Sequence, residues 1–77
     1  MPHALLPPSP PPRTFLEARA WLRQIGGASF VTADPYGRAS VIVGTLGRSC
    51  SIDDLAPTRT SLERAFLDAV WSLYESL

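Results

Sequence analysis

Catalysis by this chain would depend on very few polar side chains. Cys50 lies two positions after Arg48, and a nearby cation favours the thiolate, which is the nucleophilic form of cysteine. A nucleophile also needs a base, but the single histidine, His3, lies near the start of the sequence. The adjacent carboxylates of Asp53 and Asp54 point apart in an extended chain, which does not suit a two-carboxylate mechanism. We therefore predict that the protein is not an enzyme and interpret Cys50 as a half-buried strand residue.

Metal and cofactor sites lack the residues they need. A structural zinc site takes four ligands, usually Cys and His, and the chain has one of each. A phosphate-binding P-loop ends in Gly-Lys followed by Ser or Thr, and the sequence contains no lysine. We therefore expect no metal, no cofactor and no catalytic residue.

Size and charge favour contact with another protein. The 77-residue chain allows one domain, which would bury only about 60% of its unfolded surface and so would gain from a partner or a second subunit. Seven arginines balance seven acidic residues, whereas nucleic-acid-binding domains usually carry a basic excess. No apolar run approaches the ~20 residues of a membrane span, and the N-terminal segment lacks the pattern of a signal peptide. We expect a cytoplasmic protein without membrane contact.

Residues 1–13 are predicted to form a proline-rich arm in front of a single domain, residues 14–77. Six of the eight prolines lie in the first twelve positions, and proline fixes φ and lacks an amide donor. We therefore expect the arm to be extended, polyproline-like and unpacked. Residues 8–13, PSPPPR, also fit the P-x-x-P-x-R pattern that SH3 domains bind, so the arm is either a stiff tail or such a ligand.

The domain begins with a predicted amphipathic helix that ends near Ile25. The hydroxyl of Thr14 can accept a hydrogen bond from the amide of Glu17, while the Glu17 side chain returns to the Thr14 amide, which is the capping box. Gly26 and Gly27 supply a stop signal. At roughly 100° per residue, one face of this helix is apolar: Phe15, Ala18, Trp21, Leu22 and Ile25.

A short antiparallel sheet is predicted to follow. Residues 28–34 and 38–46 are rich in β-branched and small side chains, and the Asp-Pro-Tyr-Gly segment at 34–37 suits a turn between them. Residues 48–52 form a weaker third strand. The carboxylates at 53–54 are interpreted as the cap of a short helical turn within a loop.

The last predicted helix carries more apolar surface than a small sheet requires. Thr60 and Glu63 repeat the capping-box spacing at its start. One apolar stripe suits the sheet: Leu62, Phe66, Ala69, Val70, Leu73 and Leu77. A second stripe lies beside it at spacings i, i+4 and i+7: Leu67, Trp71 and Tyr74. Exposure of these large side chains would forfeit roughly 1.5 to 3 kcal/mol each, so we expect something to cover them.

Two ways of covering the second stripe are open. The first helix can lie against it, with Trp21 in contact, or a partner can bind it, since Trp and Tyr are favoured interface anchors. We predict a homodimer through this helix and a protein partner that contacts Leu67, Trp71 and Tyr74. Tyr36, at the predicted turn, and Arg38 beside it form a second candidate contact, because an aromatic ring near an arginine can fill a protein pocket.

Together the elements predict an α+β domain of α-β-β-(β)-α order, with both helices on one face of a small antiparallel sheet. This order resembles the small phage-associated domains known as ABA-sandwich domains. The resemblance rests on FLEARAWLRQIGG, on a hairpin with DPYGR at its tip, and on SLERAFLDAV. It implies a phage or mobile-element accessory protein, and we predict a non-catalytic protein-binding module that acts by stoichiometric contact with a host or defence component.

The same order also resembles the double-stranded RNA-binding domain. That family places a lysine cluster at the start of its last helix to contact phosphates across a groove. The corresponding segment here, APTRTSLER, has arginines but no lysine and includes Glu63. Phosphate neutralisation supplies most of the affinity of such proteins. The alternative prediction is therefore a nucleic-acid-binding domain that uses four arginines: Arg19, Arg23, Arg59 and Arg64.

Overall fold

The computed structural model describes residues 11–76 and confirms the predicted α+β order, with a complete third strand. The strands are antiparallel and lie in the order β1-β2-β3, so β2 is central and the other two are edge strands. His3, most of the proline-rich arm and Leu77 lie outside the described residues. The elements in chain order are α1 (Phe15–Gln24), β1 (Ala28–Ala33), β2 (Ala39–Thr45), β3 (Arg48–Leu55) and α2 (Arg59–Ser76).

Both helices pack on the same face of the sheet, as predicted. Along β2, Ala39, Val41 and Val43 are buried, and the residues between them are half-buried. Helix α2 lies across β2 and β3, and α1 packs against α2. The core therefore joins one face of the central strand to the apolar faces of both helices: Ala18, Trp21, Leu22, Val41, Val43, Ala65, Phe66, Ala69, Val70 and Leu73.

The predicted start of α1 is confirmed, with one change of partner. The amide of Glu17 donates to Oγ1 of Thr14 at 3.1 Å. The carboxylate of Glu17 accepts from the amide of Arg13 at 2.9 Å, one residue before the predicted donor. The helix therefore keeps the side-chain cap, and Glu17 binds the backbone of Arg13, the last residue of the predicted arm.

The two glycines after α1 end the helix and allow it to lie close to the sheet. The amide of Gly26 donates to the carbonyl of Arg23 at 3.1 Å, and the amide of Gly27 donates to that of Leu22 at 2.9 Å. This pair of hydrogen bonds is the Schellman motif, and Gly26 has the positive φ of 74° that it requires. A Cβ on Gly27 would lie 2.5 Å from Cδ1 of Leu22 and 2.8 Å from the carbonyl oxygen of Gly44.

The cap of α2 is Thr58, so the prediction of Thr60 was wrong. The amide of Ser61 donates to Oγ1 of Thr58 at 3.2 Å, and Glu63 pairs with Arg59 one turn earlier, with 3.0 Å between Nε and Oε2. The earlier start adds two residues to the helix, and the same kind of cap hydrogen bond is still made.

The turn between β1 and β2 is confirmed. The amide of Gly37 donates to the carbonyl of Asp34 at 3.1 Å, and Gly37 has a φ of 86°. One carboxylate oxygen of Asp34 also accepts from the amides of Tyr36 and Arg38, each at 2.9 Å. Asp34 therefore fixes the turn with its side chain as well as its backbone.

Strand β3 extends through Asp53 and Asp54, so their interpretation as a helical-turn cap was wrong. The register of β3 on β2 shifts at this point, and the two aspartates lie opposite the single residue Ser40. This is a β-bulge, in which Asp54 adopts a φ of 61°. The extra residue breaks the two-residue alternation of side chains, which hid the end of the strand from sequence analysis.

Candidate protein-binding surfaces

The predicted second stripe of α2 is half-buried within the single chain. Tyr74 lies between two tryptophans, with ring centroids 5.6 Å from Trp21 and 6.1 Å from Trp71. Leu67 and Tyr74 both pack against the core. Helix α1 therefore covers part of this stripe through Trp21, which is one of the two arrangements that the sequence left open.

The end of the proline-rich arm covers more of the stripe. Nε1 of Trp71 donates a hydrogen bond to the carbonyl oxygen of Pro12 at 2.5 Å. Pro12 is buried and Pro11 is half-buried, so the expectation of an unpacked arm is wrong for these two residues. The physical signal was present in the sequence, because a half-buried indole N–H needs an acceptor and polyproline carbonyls have no internal donors.

A cavity of about 540 Å³ continues beside the two prolines. Trp21 lines it together with Pro11, Pro12 and polar residues of α1. Only 4% of Trp21 is exposed, and its Nε1 finds no acceptor among residues 11–76. Trp21, Trp71 and Tyr74 thus form an aromatic site against which Pro12 docks, and the cavity continues from Trp21 between the two prolines and α1.

The second predicted contact, Tyr36 with Arg38, is divided by the fold. Tyr36 is 90% exposed at the β1–β2 turn. Arg38 instead pairs with Asp54 on β3, with 3.2 Å between Nε and Oδ1. Tyr36 is therefore open to a partner, whereas Arg38 is already engaged across the sheet.

Strand β1 is an exposed surface that the sequence analysis did not identify. All six of its residues are exposed, including Phe30 at 64% and Val31 at 60%. Val31 pairs with the buried Val41, so its side chain faces the helix side of the sheet, while Phe30 pairs with Ile42 on the opposite face. Apolar side chains are thus exposed on both faces of the same edge strand.

The pairing of β1 with β2 also determines which backbone groups point away from the sheet. Asp34 continues the register of β1, and its amide donates to the carbonyl of Arg38 at 2.8 Å. Hydrogen-bonded and non-hydrogen-bonded pairs alternate along antiparallel strands. The residues with outward N–H and C=O groups are therefore Ser29, Val31 and Ala33.

The two edge strands differ in how they are protected against pairing with another chain. β3 carries Arg48, Asp53 and Asp54 and contains the bulge, and charges and bulges both discourage edge pairing. The β1 sequence, ASFVTA, contains no charge and no proline. β1 is thus the unprotected edge of the sheet.

A groove of about 500 Å³ runs beside β1 on the helix side. Its apolar lining comes from both helices and two strands: Phe15, Val31, Val41, Leu62 and Phe66. Arg19, Arg59 and Glu63 also line it, with the guanidinium of Arg19 5.7 Å from the ring centroid of Phe15. The groove is therefore apolar with charged residues of both signs.

The four arginines of the nucleic-acid alternative are all exposed, but they do not form one basic patch free of acid. Arg19 and Arg59 share the groove beside β1, where Arg59 is paired with Glu63. Arg23 lines a neighbouring cleft with Arg19. Arg64, on α2, lines neither of these.

The remaining chemistry-bearing residues are dispersed. Cys50 is half-buried and packs against the core, as predicted for a strand cysteine. Within residues 11–76, no three or more His, Cys, Asp or Glu side chains come together in a way that could hold a metal ion. Neither helix in that range is long and apolar enough to cross a membrane.

No known protein family matches the chain, and no curated protein or solved structure matches it either. Its function must be inferred from its own surfaces. Of these, the β1 edge and the aromatic site beside the arm have the most specific geometry.

Proposed function

We propose that the protein is a non-catalytic protein-binding module that adds an extended segment of another protein to the free edge of β1. The observation that carries this proposal is that an uncharged edge strand has all six residues exposed. In strand addition, main-chain hydrogen bonds supply affinity, and alternate side chains supply specificity. Binding of this kind would act by stoichiometric contact, as expected for an accessory protein directed at a host or defence component.

The geometry of β1 indicates which segment would bind. The added strand would pair with the outward backbone groups of Ser29, Val31 and Ala33. Its side chains would then point alternately into the groove beside Val31 and onto the opposite face beside Phe30. A segment with apolar residues on both faces fits best. An acidic residue near Arg19 would add to affinity, because Arg19 forms no ion pair with any carboxylate in the described part of the chain.

A second copy of the chain is a competing occupant of the same edge. Antiparallel pairing of two β1 strands, with Val31 opposite the partner's Val31, would place Ser29 opposite the partner's Ala33. All three outward residues would then be paired by one two-fold axis. The predicted homodimer would in that case form through β1 and not through the last helix.

Hydrogen exchange of individual amides tests the proposal. In the free protein, the amides of Ser29, Val31 and Ala33 should exchange rapidly, and those of Phe30 and Thr32 should be protected by β2. A soluble peptide that contains ASFVTA should protect the amides of the first set. The same peptide should not protect them when it is N-methylated at the alternate residues whose amides would face β1. Protection of Ser29, Val31 and Ala33 in a free monomer would refute the proposal, because their edge would already be paired.

A charge on the edge supplies the matched variant. Val31→Lys should abolish peptide binding while leaving the fold intact, because a lysine on an edge strand discourages pairing. Leu46→Lys is the control, since Leu46 is 98% exposed at the β2–β3 turn and lies outside β1. Sedimentation of the parent and of Val31→Lys shows whether a second copy takes the edge, because a dimer formed through β1 should be lost in that variant. Binding to duplex RNA that weakens steeply with salt would instead favour the arginine alternative.

A further inference from the structure

We propose that the aromatic cluster of Trp21, Trp71 and Tyr74 is a binding site for proline-rich segments of another protein, and that Pro11 and Pro12 occupy it as a built-in competitor. This site is separate from the β1 edge and does not depend on the function proposed for it. Two features of the site carry the inference: the way in which Pro12 is held, and the space beside Pro11 and Pro12.

The arm is held by the interactions that recognise polyproline. Such segments have no internal hydrogen bonds, so each carbonyl is free to accept, and they bind to grooves lined by aromatic rings. Trp71 supplies the donor to Pro12, whose own ring is buried. Trp71 and Tyr74 are only half-buried, so they keep aromatic surface available to a ligand.

Pro11 and Pro12 line a cavity without filling it. The cavity of about 540 Å³ lies against Pro11, Pro12 and Trp21. A proline-rich segment that binds in the place of these two prolines could extend into this space and contact Trp21 and the polar residues of α1. A ligand from another protein would thus make contacts that Pro11 and Pro12 alone do not make.

The arm would lower the apparent affinity of the site for such a ligand. Pro12 is separated from the cap of α1 by Arg13 alone, so the arm is present at a high effective concentration. A ligand added in solution binds only the fraction of molecules whose site is open, and its apparent affinity falls by that fraction. Removal of the two prolines should therefore strengthen binding of an added proline-rich peptide.

The test is a titration of the full chain with a synthetic peptide, PPSPPPR, followed by the indole N–H resonances of the two tryptophans. We compare the parent with the variant Pro11→Ser/Pro12→Ser. As peptide is added to the variant, the Trp71 resonance should move back toward its position in the parent. The variant should bind the peptide at least tenfold more tightly than the parent does. A control peptide, PPSPSSR, in which the last two prolines are changed to serine, should produce no such shift.

Further variants keep the outcome decisive. Trp71→Phe in the arm variant removes the donor and part of the aromatic surface and should weaken peptide binding at least tenfold. If the double variant does not fold, Pro12→Ala is titrated in its place, and it too should bind more tightly than the parent. Equal affinity in parent and arm variants, or no saturable shift, would overturn the proposal. A parent dimer that the arm variant loses would identify a second copy's arm as the occupant and would overturn the assignment to another protein.

Discussion

The indole nitrogen of Trp71 donates a hydrogen bond to the carbonyl oxygen of Pro12, 59 positions earlier in the chain. The contact joins the N-terminal arm to the C-terminal helix and covers apolar surface that the first helix leaves open. It explains how α2 can carry a second apolar stripe in a domain with a single small sheet. The stripe is used within the chain, and strand β1 is left as the exposed apolar edge.

Docking of the arm should be measurable as an energetic coupling between Pro12 and Trp71. We expect Trp71→Phe to lower the free energy of unfolding by about 1 kcal/mol or more, because it removes one hydrogen bond and part of a half-buried ring. Pro12→Gly keeps the carbonyl acceptor but removes the buried ring that seats it, so the two changes combined should show a coupling energy of about 0.5 kcal/mol or more, because both weaken the docking of residue 12. Urea unfolding of the four proteins in the cycle measures it. Pro12→Gly with Leu46→Ala is the control pair and should be additive, so equal additivity in both pairs would mean that the arm does not dock.

The corrected cap of α2 gives a second prediction. Thr58→Ala should lower the free energy of unfolding by about 1 kcal/mol, because the amide of Ser61 loses its acceptor. Thr14→Ala should have a similar effect at α1. Thr60→Ala, which lies inside the helix, should be neutral or slightly stabilising because alanine is the better helix former. A larger loss of thermal stability in Thr60→Ala than in Thr58→Ala would instead identify Thr60 as the cap of α2.

Local signals in the sequence were sufficient for most of the fold. The Thr14 cap, the glycine pair at 26–27 and the turn at 34–37 each depend on residues close to one another in the chain, and all three are confirmed. The end of β3 was missed because a bulge changes the alternation of side chains without a glycine to mark it.

The surfaces were harder to predict because they depend on distant parts of the chain. The second stripe of α2 was identified from its spacing, but its covering by Pro12 requires knowledge of where the arm enters the domain. Exposure of Phe30 and Val31 follows from the position of β1 at the edge, and the sequence of a strand does not state its place in the sheet. The lack of charge in ASFVTA was a signal that could have been used.

Close packing of α1 on the sheet predicts different effects for the two glycines after it. Gly27→Ala should destabilise the protein by about 1 to 3 kcal/mol, because the new Cβ would overlap the carbonyl oxygen of Gly44 as well as Leu22. Gly26→Ala meets no neighbour but must keep a φ of 74°, so we expect a loss of about 1 kcal/mol. Denaturant midpoints compare the two variants. A smaller effect at position 27 than at position 26 would show that α1 lies further from β2 than described.

The bulge in β3 provides two neighbouring aspartates with opposite expected responses to glycine. Asp54 has a φ of 61°, a conformation in which a side chain is strained and glycine is not. Its ion pair with Arg38 is exposed and so contributes little. We therefore expect Asp54→Gly to stabilise the protein by about 0.5 kcal/mol and Asp54→Val to destabilise it by about 1 to 2 kcal/mol. Asp53 has no positive φ, so Asp53→Gly should destabilise by about 0.5 to 1 kcal/mol through the added freedom of the unfolded chain. Thermal unfolding of the three variants measures these effects. If Asp54→Gly lost as much stability as Asp53→Gly, residue 54 would not be left-handed, and the bulge that protects this edge would not lie there.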